Sequence, residues 1–367
     1  MTDKPHIYLD FNASTPLRPN VMKAMSEAMQ HFGNPSSIHK FGRTARTCIE
    51  DARDTFAAHF LVEPSQVIFT SGGTEANNLV IKAFDTVLMS AIEHESIDRA
   101  ATDAIKVPVL SSGIIDLHAL DKLLSENKDQ RILVSIMLAN NETGIIQPVA
   151  EAAEIAHKHG AKLHCDAVTA FTKIPFTYKS LGADYISISA HKIGGPKGCG
   201  VLIGPLNEKL PSLIHGGGQE KGHRAGTENT IGIVGFAQAL RDSKNDNWTA
   251  VEGCRNLLES LISARHPNVP IYGISSVRLP NTSYIGMPGV ATNKQLMAFD
   301  LEGFAISSGS ACSSGKVSPS HVLRAMGHGD EASTEAARIS LGWSTTTTEV
   351  EGFAHTWLAL YERLKNG

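Results

Sequence analysis

No stretch of the 367 residues stays apolar long enough to span a bilayer, and no signal-peptide pattern opens the chain. Contact with a membrane is therefore not expected. Cysteine is scarce. Cys48, Cys165, Cys199, Cys254 and Cys312 are scattered and odd in number. That pattern gives neither a disulfide framework nor zinc-ligand spacing, and a reducing cytoplasm is the expected compartment. An excess of charge of one sign is also missing. A formal net charge of −4 carries no polyelectrolyte signal, so nucleic acid is not an expected partner. There are no internal repeats and no low-complexity tracts. What is present is an apolar fraction of 42% against 19% charged residues, enough for a large core. The length suits two or three ordinary domains, or one large α/β domain with a smaller companion.

The stretch ADYISISAHKIGGPKGCG, residues 183–200, organises the rest. Tyr185, Ile186 and Ile188 predict a strand from Tyr185 to Ser189, and Gly194, Gly195 and Pro196 stop it. Lys192 thus stands just past a strand's carboxyl end, where ligands collect in open α/β sheets. A lysine held there can form a Schiff base with a carbonyl compound or with pyridoxal phosphate. Taken alone, it reads as a solvated surface lysine. Its companions along the chain decide otherwise.

VIFT, residues 67–70, reads as a buried strand that runs through Gly72 and Gly73 into a helix starting near Thr74. Free backbone N–H groups and the positive end of the helix dipole make that turn a phosphate site. It lacks the Lys-Ser/Thr of a P-loop and the GxGxxG of a dinucleotide fold. Further strands are expected at 86–90, 107–110, 132–140, 162–168 and 201–204, with helical spacing at 49–60 and 149–160. Successive β and α units predict a mostly parallel sheet with helices on both faces. His94 and Asn141 follow two of these strands, and Asp166 lies at the carboxyl end of a third. By itself His94 reads as an ordinary satisfied histidine. Together Thr74, His94, Asn141, Asp166 and Lys192 fall on one sheet edge, within reach of one ligand. Each suits pyridoxal phosphate: a helix N-terminus for the phosphate, a carboxylate for the pyridine nitrogen, an imidazole for the ring face and a lysine for the aldehyde.

Beyond Lys192, residues 214–230 form a glycine-rich loop of a length that is uncommon unless functional. Helical spacing over 231–264 is interrupted by the polar run SKNDNW, 243–248. The boundary is placed there, giving a large domain over 15–245 and a small one from 1–14 and 246–367. In the small domain, residues 307–321 form a Gly/Ser-rich loop around Cys312, and 337–343 read as a strand with Arg338 near its start. Small neighbours leave Cys312 accessible, as reactive thiols are. An incidental loop cysteine is the alternative reading.

Ten motifs run in order along nearly the whole chain: YLDFNASTP, FGNPSSIH, SGGTEANN, EHES, NNETG, CDAV, SAHKIGGPKG, RAGTEN, SSGSACSSG and ARISLG. In that set and order the chain resembles the cysteine desulfurases of the NifS/IscS type, within the class V aminotransferase group of fold-type I pyridoxal phosphate enzymes. The resemblance implies a large domain with a mostly parallel sheet of the seven-stranded type sandwiched by helices, plus a smaller α/β C-terminal domain. It implies that Lys192 carries the cofactor as a Schiff base, that His94 stacks on its ring and moves protons, and that Asp166 pairs with the pyridine nitrogen. Gly73, Thr74, Ser189 and His191 would hold the phosphate, and Thr227 would reach the phosphate of a neighbouring subunit in a homodimer. Asn141 would lie near the ring hydroxyl and the substrate carboxylate, Arg338 would grip that carboxylate, and Cys312 is the implied nucleophile. One position departs. The family usually reads Asp-Ala-x-Gln, with the glutamine donating to the cofactor's phenolic oxygen, whereas this chain reads Asp166-Ala167-Val168-Thr169. The shorter Thr169 predicts an altered Schiff-base pKa and partial activity.

The implied reaction takes sulfur from L-cysteine, leaving L-alanine and a persulfide on Cys312. That sulfur would pass to an iron–sulfur scaffold or another acceptor protein. Two other chemistries on the same cofactor compete, a selenocysteine lyase and an aminotransferase, although a transaminase needs no thiol loop. A sulfur-carrier homologue impaired in catalysis is the rival from a different class. Thr169 is the feature in its favour, and intact Lys192, Asp166 and Arg338 stand against it.

Overall fold

The computed structural model describes residues 6–127, 131–205, 210–309 and 318–365. Eleven strands occur among them: β1 Ile7–Tyr8, β2 Val67–Thr70, β3 Thr86–Ser90, β4 Ile105–Val107, β5 Ile132–Met137, β6 Lys162–Asp166, β7 Tyr185–Ser189, β8 Gly200–Ile203, β9 Thr282–Gly286, β10 Phe304–Ala305 and β11 Ala336–Ser340. Seven of them join in one sheet of order β2-β8-β7-β6-β5-β3-β4. Only β8 runs against the others, because it pairs antiparallel with both β2 and β7. The carboxyl ends of β2, β3, β5, β6 and β7 therefore share one edge.

Alternating side chains explain why the strands are largely apolar. Phe69, Leu88, Val134, Leu163, Ile186 and Val201 enter one buried cluster together with Ile49, Phe56 and Phe60 of the helix Lys40–Phe60. Ile68, Met89, Leu133, Tyr185 and Leu202 enter another, covered by Leu79 and Val80 of the helix Gly73–Ile81. A sheet covered on both faces needs apolar residues in both registers. β4 ends at Val107, short of the 107–110 expected, because Pro108 has no N–H to continue the ladder.

The expected helix over 231–264 is two helices, Thr230–Ser243 and Trp248–Arg265. Ile233, Phe236 and Leu240 of the first pack under the large sheet. Val251, Leu258 and Ile262 of the second join a separate cluster with Phe299, Phe353 and Trp357. There β9 and β11 pair antiparallel, and the opening strand β1 runs parallel to β10. Ile7 and Tyr8 thus belong with the last third. From there the chain passes Asp10 and Asn12 across to the edge of the large sheet.

Candidate active site

A cavity of about 330 Å³ opens on the carboxyl edge of the large sheet. Its walls include Gly73, Thr74, His94, Asn141, Asp166 and Lys192. Thr169, Ser189, His191 and Arg338 line it as well. One expected residue among those described, Thr227, is not on its wall. Thr227 is exposed in the glycine-rich loop, outside the cavity, and Cys312 lies outside the described residues.

Where β2 ends, the helix Gly73–Ile81 begins with no side-chain cap. Its first N–H groups are thus open to a ligand. A Cβ on Gly73 would meet Val168 Cγ2 at 2.7 Å, and one on Gly200 would meet the Gly72 backbone at 2.5 Å. Only glycine allows β8 and the turn to approach this closely. Glu75 fixes the turn, accepting from Ser71 N at 2.8 Å and from Arg224 Nε at 3.1 Å.

Asp166 closes β6. Its Oδ2 accepts from Asn77 Nδ2 and its Oδ1 from the backbone N–H of Val168, at 2.8 and 2.9 Å. Lys192 follows β7 and donates to the carbonyl of Asn12. Burial and, next, the charge of Arg338 push its amine down to about 8. His191 is pushed down to about 4, by burial first and then by Lys192. His94 has a face open to solvent, yet the protein atoms around it depress its imidazole below the ordinary value.

Arg338, on β11, is 3% exposed and reaches across from the small sheet. Its Nη2 pairs with Asp10 Oδ1 at 2.7 Å, and its Nη1 donates to the carbonyl of Asn141 at 2.9 Å. Among the described residues its Nε has no partner, and neither does Asn141 Oδ1. A buried donor and a buried acceptor left unpaired on one cavity wall are costly unless a ligand pairs them. A group with a phosphate, a ring nitrogen and an aldehyde fits this wall. The helix start faces the first, Asp166 the second, and a lysine amine of depressed pKa the third.

Sequence reading missed the partners of these residues. Asn77, Asp10 and Asn12 stand inside motifs quoted for other members, SGGTEANN and YLDFNASTP, and nothing local marked which side chain they would hold. Other lining residues were missed as well, Glu142 and His321 among them. Behind the cavity, burial holds the Glu93 carboxyl well above the carboxylate range, and Lys173, donating to the Thr169 carbonyl, is pushed down to about 7.

Fold and site together define a fold-type I enzyme that depends on pyridoxal phosphate. The profile of the Aminotransferase class-V family matches residues 7–353, and the chain belongs to that family. It is 38% identical over 381 residues to "Cysteine desulfurase IscS" of Dictyoglomus turgidum, covering 99% of this chain and 96% of that one. It is also 38% identical over 364 residues to "Cysteine desulfurase" of Enterobacter agglomerans, covering 94% and 90%. Among solved structures, the NifS-like protein from Rickettsia africae superposes with a TM-score of 0.91 at 38% identity, over 97% of this chain and 99% of that one. Among the described residues no helix is long and apolar enough to cross a membrane.

Proposed function

We propose that the protein is a cysteine desulfurase that takes sulfur from L-cysteine and releases L-alanine. The observation that carries this reading is the meeting of Lys192, Asp166 and His94 with Arg338 and Asn141 around one cavity. The cofactor would be held by the start of the helix Gly73–Ile81, with Thr74, Ser189 and His191 on its phosphate, Asp166 on its ring nitrogen and Thr169 near its phenolic oxygen. When bound, pyridoxal phosphate supplies an electron sink that makes the Cα proton of an amino acid acidic. Lys192 then has two tasks, holding the aldehyde and moving that proton. An amine that titrates near 8 is part unprotonated at neutral pH, where an ordinary lysine is almost all charged. Arg338 holds the substrate carboxylate, and its own Asp10 and Asn141 contacts fix the angle of the guanidinium. Asn77 keeps the Asp166 carboxylate turned to the cavity.

Cys312 is proposed as the thiolate that takes the sulfur and hands it to an acceptor, an iron–sulfur scaffold or a thiolation protein. Thr227, exposed in the glycine-rich loop, is proposed to reach the phosphate of a second copy in a homodimer. The separate apolar clusters around Phe56 and Phe353 support the division into a large domain, 15–245, and a small one, 1–14 and 246–367. The described cysteines are unpaired, in keeping with a reducing cytoplasm.

The test is sulfide and alanine release from cofactor-loaded protein given L-cysteine and a thiol reductant. Equal release of both is expected. Cys312→Ser is expected to keep the absorbance change on adding cysteine and to lose sulfide release. Unchanged turnover in that variant would remove Cys312 from the reaction. Transamination of cysteine without sulfide release would favour an aminotransferase.

A further inference from the structure

Two imidazoles line the same cavity, His94 and His321, and their hydrogen bonds fix them in opposite tautomers. The Nδ1 of His94 accepts from the backbone N–H of Ser96 at 3.1 Å. A ring nitrogen that accepts from an N–H carries no proton, so neutral His94 has its proton on Nε2. The Nε2 of His321 meets the carbonyl oxygen of Glu93 at 3.0 Å. A carbonyl only accepts, so that nitrogen carries the proton and the Nδ1 of neutral His321 is bare. One wall therefore offers a donor and another a base.

The setting of His321 suits a base. Ser320, just before it, caps the helix His321–Ala325 by accepting from Leu323 N at 3.0 Å. The same hydroxyl donates to Glu142 Oε2 at 2.5 Å. Glu142 is fully buried, and its Oε1 has no partner among the described residues. Burial raises the Glu142 carboxyl, and the charge of His321 draws it back down. Through Ser320, Glu142 therefore holds the start of the helix that carries His321.

We propose that His321 is a second proton-handling residue of the reaction, a base for the substrate thiol, with Glu142 as its positioning partner. The inference rests on the desulfurase reading above. The thiol proton of the bound cysteine passes to His321 Nδ1 as the S–H bond breaks. The acceptor thiolate forms the S–S bond while the Cβ–S bond breaks and leaves its electron pair on Cβ. The proton on Nδ1 then completes the methyl group. Thiolate and cysteine give persulfide anion and alanine, with no outside oxidant or reductant.

Two rates measured on cofactor-loaded protein test this. One is alanine formation from L-cysteine. The other is α-hydrogen exchange of L-alanine in D2O, followed by NMR, which uses Lys192 but involves no thiol. His321→Gln preserves a donor for the Glu93 carbonyl, and His321→Asn is the second variant should the first not fold. Each is expected to lower alanine formation about 100-fold and to leave exchange within about twofold of the parent. Parallel loss of both rates would make His321 a structural support and overturn the proposal. So would retention of both. Exchange in the parent without any alanine from cysteine would instead overturn the desulfurase reading, and this inference with it.

Discussion

Two histidines on the large sheet draw the contrast between a packed interior and a working edge. His164 lies inside β6, fully buried, with Nδ1 at 2.9 Å from Ser135 Oγ and Nε2 at 2.9 Å from Ser187 Oγ. Both ring nitrogens are satisfied by neighbouring strands, and nothing is left for a ligand. His94, four residues past β3, keeps one ring nitrogen for the cavity. The same cavity is lined by Asn141 and Arg338, whose Oδ1 and Nε are buried and unpaired among the described residues. A polar side chain in a sheet is thus no sign of chemistry. The sign is polarity left unanswered where strands end.

The contrast breaks most sharply at Lys192. Lys192→Ala is expected to cut alanine formation by about 10³-fold or more. His164→Ala should cost little activity at a temperature where it is folded. Comparable losses in the two variants would erase the distinction. Next in size is Arg338→Lys, which keeps the charge but gives up the planar fork. The KM for L-cysteine should rise about 10- to 100-fold, the value of one or two charge-assisted hydrogen bonds, and kcat should change less. An unchanged KM would place the substrate carboxylate elsewhere.

A pH series sharpens the comparison at the edge. The amine of Lys192 titrates near 8, so its uncharged fraction grows as pH rises through that value. Capture of pyridoxal phosphate by cofactor-free protein should quicken from pH 7 to about 9 and then level off. A rate still climbing at pH 10 would mean an ordinary lysine.

The smallest effect belongs to the interior. Burial pushes His164 down to about 4 from the ordinary 6.5. Between those values the unfolded chain binds a proton that the folded one refuses. Stability is therefore full above about pH 6.5 and falls as pH drops toward 4. Thermal unfolding of His164→Ala should begin about 5 °C lower at pH 7. Its further loss between pH 6.5 and pH 4 should be smaller than the parent's.

The sheet was legible because strands buried on both faces are written as short, β-favouring and mostly apolar runs, as in VIFT and YISIS. The residues just past those runs were legible for the same reason, since a parallel sheet brings its strand ends to one side. Partners were not legible. That Asp10 holds Arg338, or that Asn77 holds Asp166, depends on how two loops fold toward each other, and no local spacing encodes it. His321 escaped notice because it closes the stretch 307–321, which was read only for its cysteine, and opens the helix that follows.

The clasp of Asp10 on Arg338 joins residues 328 positions apart. A ribosome adding about 5–20 residues per second needs roughly 20–60 s to cover that distance. During that interval the strands of the large sheet emerge and can assemble, while the opening segment waits for β10 and β11. Lys192 is made well before the arginine that would grip its substrate. The contact of Asp10 with Arg338 can therefore form only after the strands of the large sheet have all been made.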